Sequence, residues 1–372
     1  IEPVKDLKIQ GSFATVYYNS RNDQFVAPIY TVGDLYGDVQ NKVASFIEIR
    51  NSTTLSTTTE LTASYKKRIK RHDISALIGA SQYWWRNEWE MARRDNMSSF
   101  TPSLNMGDPA TQVNDNAINE RATRSLFARV GYSYDDRYLF EVNARYDGSS
   151  RFYNKKWGLF PSVAAGWRIS EEPFFGNAKD LVDNLKLRAS FGSLGNQNVS
   201  SYYTYMRLIT NKDFSNYTFD GSIKGKYSSL GAPVASDLTW ETAQQWDLGL
   251  DLTMLNNRLN FTGDVYIRDT KDMLTDGMAL PGVYGADSPS MNSAELRTKG
   301  YELSVSWRDQ FKLAGKPFEY SVGFNISDYK SVITKYDNIL NITTKMFHHT
   351  FNTLALISWF YKQVFLMKTT PR

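Results

Sequence analysis

The chain has 372 residues, 22% of them charged, with 43 Lys and Arg against 39 Asp and Glu and a formal charge of +4. So slight an excess, with no Lys/Arg block, gives no footing for nucleic acid. The absence of cysteine excludes a disulfide framework, a thiolate metal site and a cysteine nucleophile. No stretch approaches ~18 uninterrupted apolar residues, which excludes a membrane-crossing helix but leaves barrels untouched, because a barrel strand is apolar only at alternate residues. Aromatics reach 14%, with 23 Tyr, 21 Phe and 9 Trp, an excess that interfacial girdles would absorb.

The opening Ile1-Glu2-Pro3-Val4 has neither an initiator nor a basic n-region, so an exported protein is expected to stand here in mature or shortened form. Period-2 runs follow in chain order, each with apolar side chains on one face and polar ones on the other. Leu55, Thr57, Thr59, Leu61, Ala63 and Tyr65 form the first; Ile74, Ala76, Ile78 and Ala80 continue after the basic turn Lys67–Arg71. From Leu126 to Asp147 two such runs stand back to back. Leu126, Ala128, Val130, Tyr132 and Tyr134 are followed, across Asp135–Asp136, by Tyr138, Phe140, Val142, Ala144 and Tyr146. Later runs carry Val163, Ala165, Trp167 and Ile169; Leu185, Leu187, Ala189 and Phe191; and Trp246, Leu248, Leu250 and Leu252. The last are Leu259, Phe261, Val265 and Ile267; Tyr301, Leu303, Val305 and Trp307; and Phe318, Tyr320, Val322, Phe324 and Ile326. The opposite faces hold Arg129, Glu141, Arg145, Lys186, Arg188, Asp247, Asp251, Asp264, Arg268, Glu302 and Arg308, as expected of cross-strand ladders on a wet wall.

Alternation alone fits a soluble sandwich or a membrane barrel. The links between runs decide. Short links (Lys67–Arg71, Asp135–Asp136, Ser170–Asp183, Leu255–Arg258, Asp309–Pro317) alternate with long ones (Arg86–Arg121, Gly148–Lys156, Gly195–Trp240, Lys271–Lys299). All short links of an up-and-down meander then lie at one end and all long ones at the other, the outer-membrane pattern, for which a Greek-key sandwich gives no reason. The runs, about 9–13 residues each, also suit tilted membrane strands better than globular ones. Ser170–Asp183 is expected to hold a short helix, and Gly195–Trp240 is long enough for an extra hairpin from Tyr202–Ile209 and Phe214–Phe219. After Asp337 the alternation ends, and residues 338–372 read as a shifted or artificial terminus or else a divergent loop and strand.

No constellation supports catalysis. His72 is the one histidine before residue 338 and reads as a solvated strand start; there is no P-loop and no metal-ligand spacing. The loop aromatics have functional reach instead. Trp85 and Trp89, with Asn96, Asp108 and Asn114 on the long link Arg86–Arg121, offer flat rings beside amides and a carboxylate, which suit the CH faces and hydroxyl edges of sugars. The competing reading puts Trp84 and Trp85 in an aromatic girdle.

Several stretches carry a resemblance. They include Ala144-Arg145-Tyr146-Asp147-Gly148-Ser149-Ser150-Arg151-Phe152, Lys156-Trp157-Gly158-Leu159-Phe160-Pro161-Ser162 and Gly166-Trp167-Arg168-Ile169-Ser170-Glu171-Glu172. Leu185-Lys186-Leu187-Arg188-Ala189-Ser190-Phe191-Gly192, Leu238-Thr239-Trp240-Glu241-Thr242 and Lys299-Gly300-Tyr301-Glu302-Leu303 follow. From Thr54 to Asp337 the chain resembles the SusC/RagA-type TonB-linked outer-membrane transporters of Bacteroidetes. The resemblance implies a plugged barrel of about 22 strands, of which residues 1–337 would supply about a dozen, without the plug or TonB box. It also implies a non-enzymatic importer of oligosaccharides or oligopeptides, without cofactor, working with a SusD-like surface lipoprotein and the TonB-ExbB-ExbD complex. The alternatives are a siderophore or cobalamin receptor of the same barrel class and a soluble all-β carbohydrate-binding protein or adhesin.

Overall fold

The computed structural model describes residues 2–336, apart from 34–37, 42–43, 200, 220–222, 236, 278–279, 287 and 314. In chain order the strands are β1 (Leu7–Val26), β2 (Tyr30–Gly33), β3 (Asp38–Asn41), β4 (Phe46–Ile69), β5 (His72–Asp95), β6 (Val113–Tyr134), β7 (Tyr138–Ser149) and β8 (Trp157–Arg168). They continue as β9 (Val182–Asn196), β10 (Ile209–Phe219), β11 (Ile223–Leu230), β12 (Glu241–Met254), β13 (Leu259–Asp276), β14 (Ser290–Leu313) and β15 (Lys316–Tyr336). Eleven of them form one antiparallel sheet in the order β1-β4-β5-β6-β7-β8-β9-β12-β13-β14-β15, so every strand lies beside its neighbour along the meander. The hairpins β2-β3 and β10-β11 stand apart as two-stranded sheets within long links.

Register keeps one face apolar across strands. Val130 faces Val142, which faces Val163, which faces Phe191; two rows away, Tyr134 faces Tyr138 and Tyr138 faces Trp167. Val130 (51%), Val163, Tyr138 and Trp167 are exposed and Val142, Phe191 and Tyr134 half-buried, while Trp246, opposite Phe191, is 62% exposed, as a lipid-facing surface allows. Aromatics mark both borders of the band. Tyr146 stacks on Trp157 at 4.9 Å near the long links, while Tyr134 stacks on Tyr138 at 6.4 Å near the short ones. His72 begins β5 in this lower row, exposed as the sequence suggests, with Nδ1 2.8 Å from the Tyr132 hydroxyl.

The short turns are built for reversal. Asp135 and Asp136 both take the left-handed conformation (φ 54° each), and the Arg137 amide closes the turn on the Tyr134 carbonyl at 3.0 Å. Aspartate tolerates that region better than branched residues do, and two such residues in succession match the twist of a two-residue hairpin. The link between β8 and β9 holds two 3-10 turns, Ile169–Glu171 and Pro173–Ala178, where a short helix was expected. Glu172 between them accepts hydrogen bonds from the Trp167 indole (3.0 Å) and Arg137 (3.2 Å), tying this link to the neighbouring turn.

Five strand ends differ from the sequence reading. Strands run 12–24 residues in most of the sheet, so β5 reaches Asp95 and β6 starts at Val113; the long link is residues 96–112, not Arg86–Arg121. Likewise β13 and β14 extend to Asp276 and from Ser290, and β14 runs to Leu313 before its turn. The wall continues beyond the membrane, where both faces are wet and the alternation that reveals a strand disappears. β1 was absent from the predicted runs because Val16 and Tyr18 interrupt its alternation. The extra hairpin of the link Gly195–Trp240 exists, but at Ile209–Phe219 and Ile223–Leu230, and it is no barrel pass. The reading of residues 338–372 lies outside the described residues.

Candidate functional site: the long-link end of the wall

The charged face carries ladders. Arg129 Nε donates to Glu141 at 2.9 Å, and Arg145 Nε to Asp147 at 2.8 Å. Arg188 reaches two acids, Asp251 at 2.9 Å and Asp264 at 2.9 Å, although a whole strand separates it from Asp264. The residue between is Gly249, directly opposite both Arg188 and Asp264. A Cβ there would lie 2.7 Å from the guanidinium carbon and collide with Asp264, so the glycine opens the path for the bridge.

The buried apolar cluster sits at the long-link end. Phe152 is completely buried, with Phe160, Leu238 and Trp240 packed around it. The Trp240 ring meets Phe152 at 5.5 Å and Phe160 at 5.4 Å, and its indole donates to the Lys156 carbonyl at 2.9 Å. Asn292 fastens the same region, accepting from the Thr239 amide (2.9 Å) and donating to the Thr239 carbonyl (3.0 Å). From this anchor the segment after β9 crosses back over the sheet. Arg151 donates to the carbonyls of Gln197 (2.9 Å) and Val199 (3.4 Å), Gln197 donates to Thr123 (3.3 Å), and the Tyr203 hydroxyl accepts the Glu120 amide of β6 (3.1 Å). That amide lies beyond the end of β7, where β6 has lost its partner strand; the crossing segment supplies the missing acceptor.

The five residues expected to bind substrate do not form one cluster. Trp85 and Trp89 are on β5, with the inward parity of Tyr83 and Arg121. Asn114 is on β6 with the opposite, outward parity, and lines a cavity of about 760 Å³ with Asn51, Glu88, Glu90, Asn116 and Leu104, to which Trp89 also contributes. Asp108 caps the 3-10 turn Pro109–Thr111 through the Ala110 amide at 2.9 Å. Asn96 turns the chain out of β5 at φ 55°, its amide held by the Ser45 carbonyl at 2.9 Å. Both tryptophans already carry partners. Arg50 lies over Trp89 at 4.2 Å, while Trp85 stacks on Tyr202 at 5.3 Å with Arg121 5.0 Å from its ring. Parity therefore fits Trp84, not Trp85, to an outward girdle. Arg121, Arg151 and Tyr202 were not singled out, since their meeting depends on the crossing segment, a non-local contact without a sequence period.

An antiparallel meander with an exposed apolar band, aromatic borders, a laddered polar face and long links at one end defines the wall of an outer-membrane β-barrel. Comparison with known proteins narrows this. The family model for the TonB dependent receptor-like β-barrel matches residues 5–362. The TonB-dependent receptor P3 of Formosa agariphila is 34% identical over 291 residues, covering 77% of this chain and 28% of that protein. The TonB-dependent receptor SusC of Bacteroides thetaiotaomicron is 30% identical over 336 residues, covering 89% of this chain and 31% of that protein. Among solved structures, the RagAB peptide transporter superposes with a TM-score of 0.77 at 25% identity, over 91% of this chain and 36% of that one. The chain belongs to the TonB-dependent receptor β-barrel family, is similar to SusC and RagA, and is an outer-membrane protein. It spans about a third of the length of the relatives it matches.

Proposed function

We propose that this wall belongs to an active importer of oligomers, which captures its substrate at the long-link end and passes it along the charged face. The supporting observation is the inward row Tyr83, Trp85 and Trp89, with Arg50 and Arg121 lying over these rings at 4.2–5.6 Å. Rings and guanidinium planes present both stacking faces and donors to a polyhydroxylated chain. Trp85, Trp89 and their arginines are the proposed contacts; Asn96 and Asp108 shape the neighbouring link, and Asn114 lines the outward cavity. The substrate is a glycan fragment, delivered under a SusD-like surface lipoprotein, with energy from the TonB-ExbB-ExbD complex acting through a plug. A second reading, oligopeptide import, is supported by the likeness to the RagAB peptide transporter.

Uptake by cells carrying or lacking the full-length gene, with matched panels of oligosaccharides and oligopeptides, tests the reading. Gene-dependent uptake of a glycan supports it. Uptake of peptides alone overturns the glycan assignment, and gene-independent uptake of both panels overturns the importer.

A further inference from the structure

Arg121 and Arg151, at the long-link end, have no acid partner among the described residues, unlike the ladder arginines Arg129, Arg145 and Arg188. Arg151 is 6% exposed, yet no carboxylate lies within ion-pair distance among the described residues. Its Nη1 is taken by the carbonyls of Gln197 and Val199, and its buried Nε has no acceptor. Arg121 shows the same deficit. Its Nε is buried without an acceptor, and its recorded neighbours are the rings of Tyr83 (5.6 Å) and Trp85 (5.0 Å). The two are linked through one aromatic pair, because Trp85 stacks on Tyr202 and Arg151 lies 5.0 Å from the Tyr202 ring. Burial lowers the pKa of Arg151, and the Arg121 charge pushes it further in that direction.

Two neighbouring cations with unmet donors, one almost wholly enclosed, are an unfavourable arrangement unless an anion joins them. The Nε of Arg151, left without an acceptor, forms with Nη2 the edge that grips a carboxylate or sulfate through two parallel hydrogen bonds. We propose that Arg121 and Arg151 form an oxyanion site that binds a carboxylate or sulfate substituent of the imported oligomer. The proposal rests on the importer reading for the source of the anion. Binding by purified protein needs no uptake, however, so the two can fail separately. Inward parity puts Arg121 on the same face as the ladder residues Arg129 and Glu141, at the start of the route that an oligomer would follow.

The test uses the full-length transporter with its lipoprotein, purified in detergent, with sodium sulfate titrated against sodium chloride at equal ionic strength. Calorimetry reads the binding directly, and a change in intrinsic fluorescence that is lost in Trp85→Phe assigns it to this site. Saturable sulfate binding is expected, weakened at least tenfold in Arg121→Gln and unchanged in Arg124→Gln, whose outward side chain bonds Gln82. An oligogalacturonate should bind at least tenfold tighter than its methyl ester, and Arg121→Gln should erase that preference. If Arg121→Gln fails the heat-modifiable mobility test of folding, Arg121→Lys replaces it, keeping charge but losing the fork, with several-fold weaker binding expected. Absence of saturable sulfate binding, or equal affinity in the folded Arg121 variant, overturns the site. Equal binding of acid and ester overturns the substrate as the source of the anion. A carboxylate from elsewhere in the full-length chain seated between the two arginines overturns it as well.

Discussion

Val142 and Ala164 offer the sharpest contrast between the two faces of the wall. Val142 lies in the row Val130–Val142–Val163 and is four residues from each of Tyr138 and Tyr146, which mark the two borders of β7. At ~3.4 Å per residue and a tilt of about 40°, those borders lie roughly 21 Å apart across the membrane, close to the ~25 Å apolar band of such barrels. Val142 is therefore at mid-depth, where an outward arginine costs about 2–4 kcal/mol. Ala164 points the other way, opposite Glu141 and beside a cavity that also holds Asp247. An arginine there meets water and charges of both signs, Glu141 and Asp247 beside Lys186 and Arg188, and the expected cost is under about 1 kcal/mol. Urea unfolding of the full-length protein in vesicles, followed by heat-modifiable mobility, should show Val142→Arg strongly destabilised and Ala164→Arg near wild type. Equal effects at the two positions would refute the assignment of faces.

Phe152→Ala removes the most enclosed side chain of the long-link cluster and should cost about 3–5 kcal/mol locally, read as faster proteolytic nicking within 150–156 and 197–208. At the turn between β6 and β7, Asp136→Gly should be neutral or stabilising, whereas Asp136→Val should cost about 1–2 kcal/mol in the same urea assay, because a branched residue resists φ 54°. Glu172 is held below the usual carboxylate range, first by the hydrogen bond from Tyr138 and then by that from Trp167. A depressed carboxyl stabilises the fold above its unfolded pKa and loses that contribution as pH falls through the folded value. Glu172→Gln should therefore weaken the fold at neutral pH, with the gap to wild type closing below about pH 4; a gap independent of pH would count against the ionised role.

How much of this was legible in the sequence depended on where water lay. Within the membrane one face meets lipid and the other meets water, so β7 and β12 show strict alternation and could be read directly. Above the membrane both faces are wet, and the upper parts of β5 and β6 carry residues such as Asn87, Glu90, Asn114 and Asn116 that look like loop. That is why Trp85 and Trp89 were expected on a link and stand on a strand. Link parity survived these shifts because it depends on order, not on exact ends. The meeting of Arg121, Trp85, Tyr202 and Arg151 had no period to betray it. Arg151, Phe152, Phe160, Leu238 and Trp240 all stand in the family-like stretches, but nothing in their order shows that they pack together; the buried role of Phe152 becomes visible once Trp240 and Leu238 lie around it.

The central claim is that this meander crosses the outer membrane with its long links outside. These 372 residues contain no cysteine, so in a full-length protein cleared of any cysteine elsewhere, single cysteines placed here report without background. Val283 is almost fully exposed in the link between β13 and β14, and Tyr153 is exposed in the link between β7 and β8; Lys70 and Asn256 occupy short turns. In intact cells producing the full-length protein, a membrane-impermeant maleimide should label Val283→Cys and Tyr153→Cys, and should reach Lys70→Cys and Asn256→Cys only after the cells are broken. Equal labelling of all four in intact cells, or labelling of the short-turn pair alone, would contradict the account.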